Sequence, residues 1–207
     1  TALVNLGWLV GRYRKGLQDP SDSSNGGNLF SALNPLAGLS SATILSSFVQ
    51  TAAWIAANDS LGWNRWEIDS TFLLNRKNGV STDSRCIVAM SGGNADLTVT
   101  DTFAVGSRST LGWVLTAGTL SCSINGLPVG GTAAGSGTII SNTAGYSLFA
   151  GAGSGADSQT NLTRALGLSG ALYTRAFSAY ELAWLHAEPY AFLQPVIRRR
   201  YFVPAAG

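Results

Sequence analysis

The stretch LSGALYTRAFSAYELAWL, residues 168–185, decides how the rest of the chain is read. Ala171-Leu172-Tyr173 is apolar and strand-like. Arg175 and Phe177 lead from it into Ser178, with Glu181 three residues further on. That Ser-x-x-Glu spacing is a capping box: the Ser178 hydroxyl accepts from the Glu181 N–H, and the Glu181 carboxylate reaches back to the Ser178 N–H. In the helix this starts, Leu182 and Leu185 share a face and Tyr180 and Trp184 form an i,i+4 pair beside it. Pro189 ends it. A strand, a turn and a capped helix therefore occupy eighteen residues.

Residues 172–185, Leu-Tyr-Thr-Arg-Ala-Phe-Ser-Ala-Tyr-Glu-Leu-Ala-Trp-Leu, resemble the C-terminal end of laminin-G-like domains of the concanavalin-A-like jelly-roll class. Phe177 stands where the family pattern has Leu. A second stretch is similar to the same family. Gly112-Trp113-Val114-Leu115-Thr116, a turn at Ala117-Gly118, and a strand running to Asn125-Gly126 form a hairpin-like pair. Tyr146 to Gly151 resembles its later strand that ends in Gly. The resemblance covers about residues 111–186. It implies an all-β fold: a two-sheet antiparallel jelly-roll sandwich with a short C-terminal helix and extended terminal arms. It names a fold far better than a function, because lectins, adhesins, enzymes and structural proteins all use this sandwich.

Composition agrees with that class. The chain has 207 residues, enough for one sizeable core, with 12% charged and 45% hydrophobic residues and 25 glycines. Low charge with high hydrophobicity argues against disorder, and glycine punctuation fits short strands joined by tight turns. The net charge of +2 is unevenly spread. Arg12, Arg14, Lys15, Arg198, Arg199 and Arg200 lie near the ends, leaving a body with seven basic and eleven acidic residues. No basic stripe crosses that body, so direct contact with nucleic acid is not expected. No apolar run reaches the ~18 residues of a membrane span. The apolar N-terminal run is short and its basic residues follow it, unlike a secretory signal. Cys86 and Cys122 are too few for a disulfide framework and read as buried thiols; whether they pair depends on whether their strands are neighbours.

Three regions follow: residues 1–28 as an N-terminal arm and linker, 29–187 as the jelly-roll domain, and 188–207 as a C-terminal basic-aromatic arm. Within the domain, residues 42–57, 66–74, 85–90 and 96–105 read as strands, with turns at Lys77-Asn78-Gly79 and at Ser91 to Asn94. Gly130-Gly131 and the glycines of residues 150–155 read as turns. They lack the Lys-Ser/Thr and the following helix of a phosphate loop.

No catalytic constellation is complete. Trp66-Glu67-Ile68-Asp69 is similar to the Glu-x-Asp core of retaining glycoside hydrolases on this jelly roll, but the closing Glu is missing and Ser70 to Leu73 follow. Retaining hydrolysis needs two carboxyl groups ~5–5.5 Å apart. The lone histidine, His186, sits at the helix C-terminus, where the dipole favours a cation. Zinc needs more His or Cys than the chain has. Calcium is the metal that loop carboxylates such as Asp83, Asp96, Asp101 and Asp157 suit, though none lies in a dense oxygen cluster. The expectation is accordingly no enzyme, no cofactor and no resident metal. Trp63 and Trp66 with Asn64 offer an aromatic, polar platform for a glycan, against the plainer reading of core packing.

The ends carry the remaining expectation. Residues 188–204, EPYAFLQPVIRRRYFVP, resemble the tail that follows the terminal helix in bacteriophage proteins with a laminin-G-like domain, and the leader LGWLVGR resembles short segments of phage minor structural proteins. The resemblance implies a non-enzymatic virion protein in several copies per particle. It would decorate the capsid by contacts of Leu6, Trp8, Leu9, Arg12, Arg14, Lys15, Arg198, Arg199, Arg200 and Tyr201 with other virion proteins, the major capsid protein first. The alternatives are a tail-fibre or spike component that binds host glycans, and a free carbohydrate-binding lectin.

Overall fold

A computed structural model describes residues 29–31, 36–50, 63–67, 70–78, 80–101, 103–140, 146–148 and 165–188, with side chains for 36–50, 83–101, 103–140 and 170–188. In chain order these form β1 (Leu29–Ser31), β2 (Ala42–Gln50), β3 (Trp63–Glu67), β4 (Ser70–Asn78), β5 (Val80–Val88), β6 (Ala95–Thr100), β7 (Arg108–Thr116), β8 (Thr119–Ile124), β9 (Leu127–Ala134), β10 (Tyr146–Leu148), β11 (Ala165–Tyr173) and α1 (Ala179–Ala187). The strands make two antiparallel sheets, ordered β1-β10-β3-β4-β5-β6 and β11-β2-β7-β8-β9. Over the described residues the chain is an all-β sandwich with one short helix. The N-terminal arm, and the C-terminal arm beyond Glu188, lie outside the described residues.

The two sheets enclose one main core. Ala42, Ile44 and Phe48 of β2 meet Leu111, Trp113 and Leu115 of β7, with Leu120 and Cys122 of β8. From the other sheet come Cys86 and Val88 of β5 and Ala95, Leu97 and Val99 of β6. Strand alternation explains the list, since every second residue of each strand faces inward. β6 shows it cleanly, with Ala95, Leu97 and Val99 buried and Asp96, Thr98 and Thr100 exposed. β2 and β7 instead read as almost continuously buried, because the second face of their sheet is also covered.

The cover is α1. Leu182 and Leu185 pack on Leu45 of β2 and Val114 of β7, with Tyr173, Ala176 and Phe177 around them. Burying two leucines contributes on the order of 3–6 kcal/mol. The helix starts as its sequence predicts, with Ser178 as N-cap and both halves of the capping box formed with Glu181. Arg175 adds an ion pair to Glu181 at 2.5 Å and lies over the Phe177 ring. The connection into the helix is held from below by Thr43, which is fully buried. Its hydroxyl donates to the Arg175 carbonyl at 2.8 Å and accepts from the Phe177 N–H at 2.9 Å. At the far end Arg108 donates to the His186 carbonyl, and His186 Nδ1 lies 3.1 Å from Thr110 Oγ1.

One end of the sandwich is closed by the backbone of residues 135–140. Ile139 exchanges hydrogen bonds with Gly38 and Leu39 on one side, while Ser91 donates to Thr138 and Ser136 to Gly93 on the other. Leu36, Met90 and Ile139 seal the core there.

Three expectations change. Residues 66–74 are two strands, with Glu67 opposite Ser70 across a tight connection. Ile68-Asp69 carries no glycine or proline, so the alternating pattern hid the reversal. The run from 96 ends as a strand at Thr100, and buried Asp101 accepts a hydrogen bond from Ser84 at that point. Gly130-Gly131 lies inside β9, where the register with β8 jumps from Ser121↔Thr132 to Cys122↔Val129. A Cβ on Gly130 would come within 2.6 Å of Val99, so close approach of β9 to β6 demands the glycine. The two predicted hairpin turns are present, with positive φ at Ala117, Gly118, Asn125 and Gly126.

Thr43→Val keeps shape and β-branching but leaves the Arg175 carbonyl and Phe177 N–H without this partner. Chemical denaturation should show a loss of about 1–3 kcal/mol. An unchanged midpoint would show that the clamp contributes nothing. Gly126→Ala should also destabilise, by about 2 kcal/mol, because φ is +80° and a Cβ would lie 2.7 Å from the Ala183 backbone.

Candidate functional site

Two outer faces remain once the core is built, and they differ. The outer face of the five-stranded sheet is occupied by α1. The outer face of β5 and β6 has no element packed on it among the described residues. Along β5 the positions that alternate with buried Ser84, Cys86 and Val88 are Asp83, Arg85 and Ile87; along β6 they are Asp96, Thr98 and Thr100. These six residues form the candidate site, a sheet surface of charged and hydroxyl-bearing side chains apart from Ile87.

Its polar groups are ordered by one another. Arg85 forks onto Asp96, with Nε to Oδ1 at 2.8 Å and Nη2 to Oδ2 at 2.5 Å. The hydrogen bond to Asp96 raises the Arg85 pKa further, so the guanidinium stays charged. Thr100 Oγ1 donates to Asp83 Oδ1 at 3.2 Å. A bidentate fork fixes orientation as well as charge. Chemically such a face can exchange hydrogen bonds with a hydroxyl-rich ligand. Its carboxylates are engaged by Arg85 and Thr100.

The six-stranded sheet carries this face towards β4 and β3. Arg76 stands opposite Arg85, and Leu74 opposite Ile87. On β3, Trp63 is opposite Leu148, Asn64 opposite Ser147 and Trp66 opposite Thr71. The three platform residues thus sit on one strand of the same sheet. The register with β4 shifts between Arg65 and Trp66, so the three residues do not follow one unbroken alternation.

The other sequence candidates fall apart spatially or lie elsewhere. Leu6, Trp8, Leu9, Arg12, Arg14, Lys15, Arg198, Arg199, Arg200, Tyr201 and Asp157 lie outside the described residues. Of the carboxylates suited to calcium, Asp83 and Asp96 sit on the open face, whereas Asp101 is buried and bonded to Ser84. Among the described residues no three His, Cys, Asp or Glu side chains gather as a metal site. Cys86 and Cys122 are both buried thiols on strands of different sheets, so their strands are not neighbours. Burial pushes both thiols well above the ordinary range, with nearby Asp101 adding at Cys122, and leaves them unreactive.

Sequence reading missed the open face itself. Its signal was present in the alternation of Ala95 to Thr100, which marks one solvent face. What it could not show was which sheet the helix would cover. It also missed an exposed apolar patch, Tyr180 and Trp184 on α1 and Leu127 at the start of β9. The Tyr180–Trp184 spacing was legible, but its exposure was not.

No family model matches the chain, and no curated protein matches it in sequence. Solved structures do share the fold. The binding domain of paraclostridial mosquitocidal protein 1 superposes with a TM-score of 0.58 at 13% identity, over 82% of this chain and 42% of that one. A Trypanosoma rangeli sialidase complexed with 2,3-difluoro-KDN gives 0.53 at 12%, over 81% and 27%. The Ruminococcus gnavus IT-sialidase CBM40 bound to α2,3-sialyllactose gives 0.51 at 15%, over 72% and 84%. This chain spans about a quarter of the sialidase and about two fifths of the mosquitocidal domain. At these identities the likeness is one of fold: a lectin-like β-sandwich.

Acid should loosen the helix side in two steps. Burial and the nearby Arg108 lower the His186 pKa, so the fold favours the neutral ring. That stability is full above the ordinary value of 6.5 and is lost as pH falls below it through the lowered folded value. Glu181 is held down to about 2, chiefly by Arg175 and then by Ser178, and its contribution is lost as pH falls from 4.5 towards 2. Thermal melts of His186→Gln should lose the first of these steps and keep the second. A first step that persists would assign it to another group.

Proposed function

We propose that this chain is a non-enzymatic, lectin-like binding module that holds a glycan on the open face of its six-stranded sheet. The observation that carries the reading is the alternation of Asp83, Arg85 and Ile87 with Asp96, Thr98 and Thr100 on a sheet face left uncovered among the described residues. Prepositioned donors and acceptors on a flat surface suit a ligand whose own groups are mostly hydroxyls. The shared fold with a CBM40 bound to α2,3-sialyllactose points the same way. Catalysis is not part of the reading, because Asp83 and Asp96 are engaged in fixed partnerships and the Glu67 motif lacks its closing carboxylate. Binding of the purified full chain to a glycan array tests this, with Arg85→Ala as control. We expect retention of one glycan class and about a ten-fold loss in the variant. Equal retention by both proteins would remove the open face from the reading.

A second reading is favoured by the ends of the sequence: the module is carried on a virion through its arms. The apolar-basic composition of residues 1–16 and 190–203 is what a docking extension needs. The two readings are compatible in a spike or fibre component and diverge in a capsid decoration. Deleting residues 1–16 should abolish particle association in co-sedimentation while leaving the melting temperature unchanged. Unchanged occupancy would count against the arm.

A further inference from the structure

We infer that the ligand of the open face is an uncharged, hydroxyl-rich saccharide and not an acidic one; the inference rests on the glycan reading above. It comes from the charge of the face. Residues directly opposite one another in an antiparallel pair lie on the same face. On β4, Arg76 is opposite Arg85 and Leu74 opposite Ile87. On the other side Arg85 is opposite Thr98, Ile87 opposite Asp96, and Asp83 opposite Thr100. Among the described side chains the face across β5 and β6 thus holds one cation, Arg85, and two anions, Asp83 and Asp96.

Arg85 is neutralised by its fork onto Asp96, with both bonds formed. Asp83 accepts from the uncharged Thr100 hydroxyl, so its charge stays on the face. An acidic saccharide would set its carboxylate beside Asp83 and Asp96. To take over the Arg85 fork it would have to displace Asp96, giving up one charge-assisted pair to make another, and at the remaining N–H groups it would still face both carboxylates. A neutral saccharide meets no such competition. Its hydroxyls both donate and accept, and the face offers both: carboxylate oxygens at Asp83 and Asp96, hydroxyls at Thr98 and Thr100, and the remaining guanidinium N–H groups of Arg85. Ile87 supplies an apolar contact for the C–H face of a ring.

The inference separates this chain from the similarly folded CBM40 bound to α2,3-sialyllactose, whose ligand is acidic. The test titrates the full chain with lactose and with α2,3-sialyllactose, a pair that differs by one acidic sugar. An array of neutral, sialylated and sulfated glycans run at low and high salt accompanies it. We expect neutral glycans to bind about ten-fold or more tightly than their acidic counterparts, with little change on adding salt. Preference for acidic glycans, weakening as salt rises, would overturn the inference and leave the glycan reading standing. No retention of any glycan would overturn both. Thr98→Val combined with Thr100→Val preserves β-branching on β6 and should abolish neutral-glycan binding with an unchanged melting temperature. A folded double variant that binds as before would overturn the placement on this face.

Discussion

The burial of β2 and β7 on both faces is the constraint on which the rest of this structure depends. A sandwich needs each sheet to bury one face only. Here the second face of β2 and β7 carries Leu45 and Val114 beside Thr43, Ser47 and Thr110, all of them buried. Left open, it would set two large apolar side chains in water at the middle of a sheet. A helix must lie there, and the eighteen residues from Leu168 deliver one. They bring β11 alongside β2, turn over Thr43, and set Leu182 and Leu185 on the waiting residues. The capping box, the Arg175–Glu181 pair and the Thr43 clamp are devices for starting a nine-residue helix at one place. A helix this short would not persist in water by itself.

Covering one outer face determines which surface is left for work. With α1 on the five-stranded sheet, the open face belongs to β5 and β6, whose outward residues are charged or hydroxyl-bearing apart from Ile87. The assignment is made by packing, since neither strand alone says which side of the molecule the helix takes. Selectivity on that surface then follows from electrostatics. Arg85 and Asp96 order one another and leave a face that is polar without being strongly charged.

The capped helix was legible because its signals are local. Ser178, Glu181, Leu182 and Leu185 speak to one another within two turns, and Asn125-Gly126 states its turn in two residues. The sandwich was legible through alternation and through the resemblance around residues 111–186. What stayed hidden depended on distant partners. The reversal between Glu67 and Ser70 has no glycine or proline to announce it, and it is defined by β4 pairing back on β3. Gly130 looked like a turn because the neighbour that requires it, Val99, is thirty-one positions earlier on the facing sheet. The open face was hidden for the same reason: six alternating positions become a site only once one knows where the helix lies.

The two proposed roles make different demands on this architecture. A decoration protein asks little of the sandwich beyond stability, since the contacts reside in residues that flank it. A glycan module asks that one sheet face be flat, uncovered and preorganised. The Arg85–Asp96 fork is informative in that light. An exposed ion pair contributes little to stability, of the order of 0–1 kcal/mol. Its bidentate geometry does contribute orientation: it fixes two carboxylate oxygens and the free guanidinium edge in one plane on the sheet. Thr98 lies opposite Arg85 on the neighbouring strand, and Thr100 bonds Asp83 two positions along β6. The polar groups of the face are thus tied to one another across two adjacent strands, an arrangement that ligand binding needs and stability alone does not.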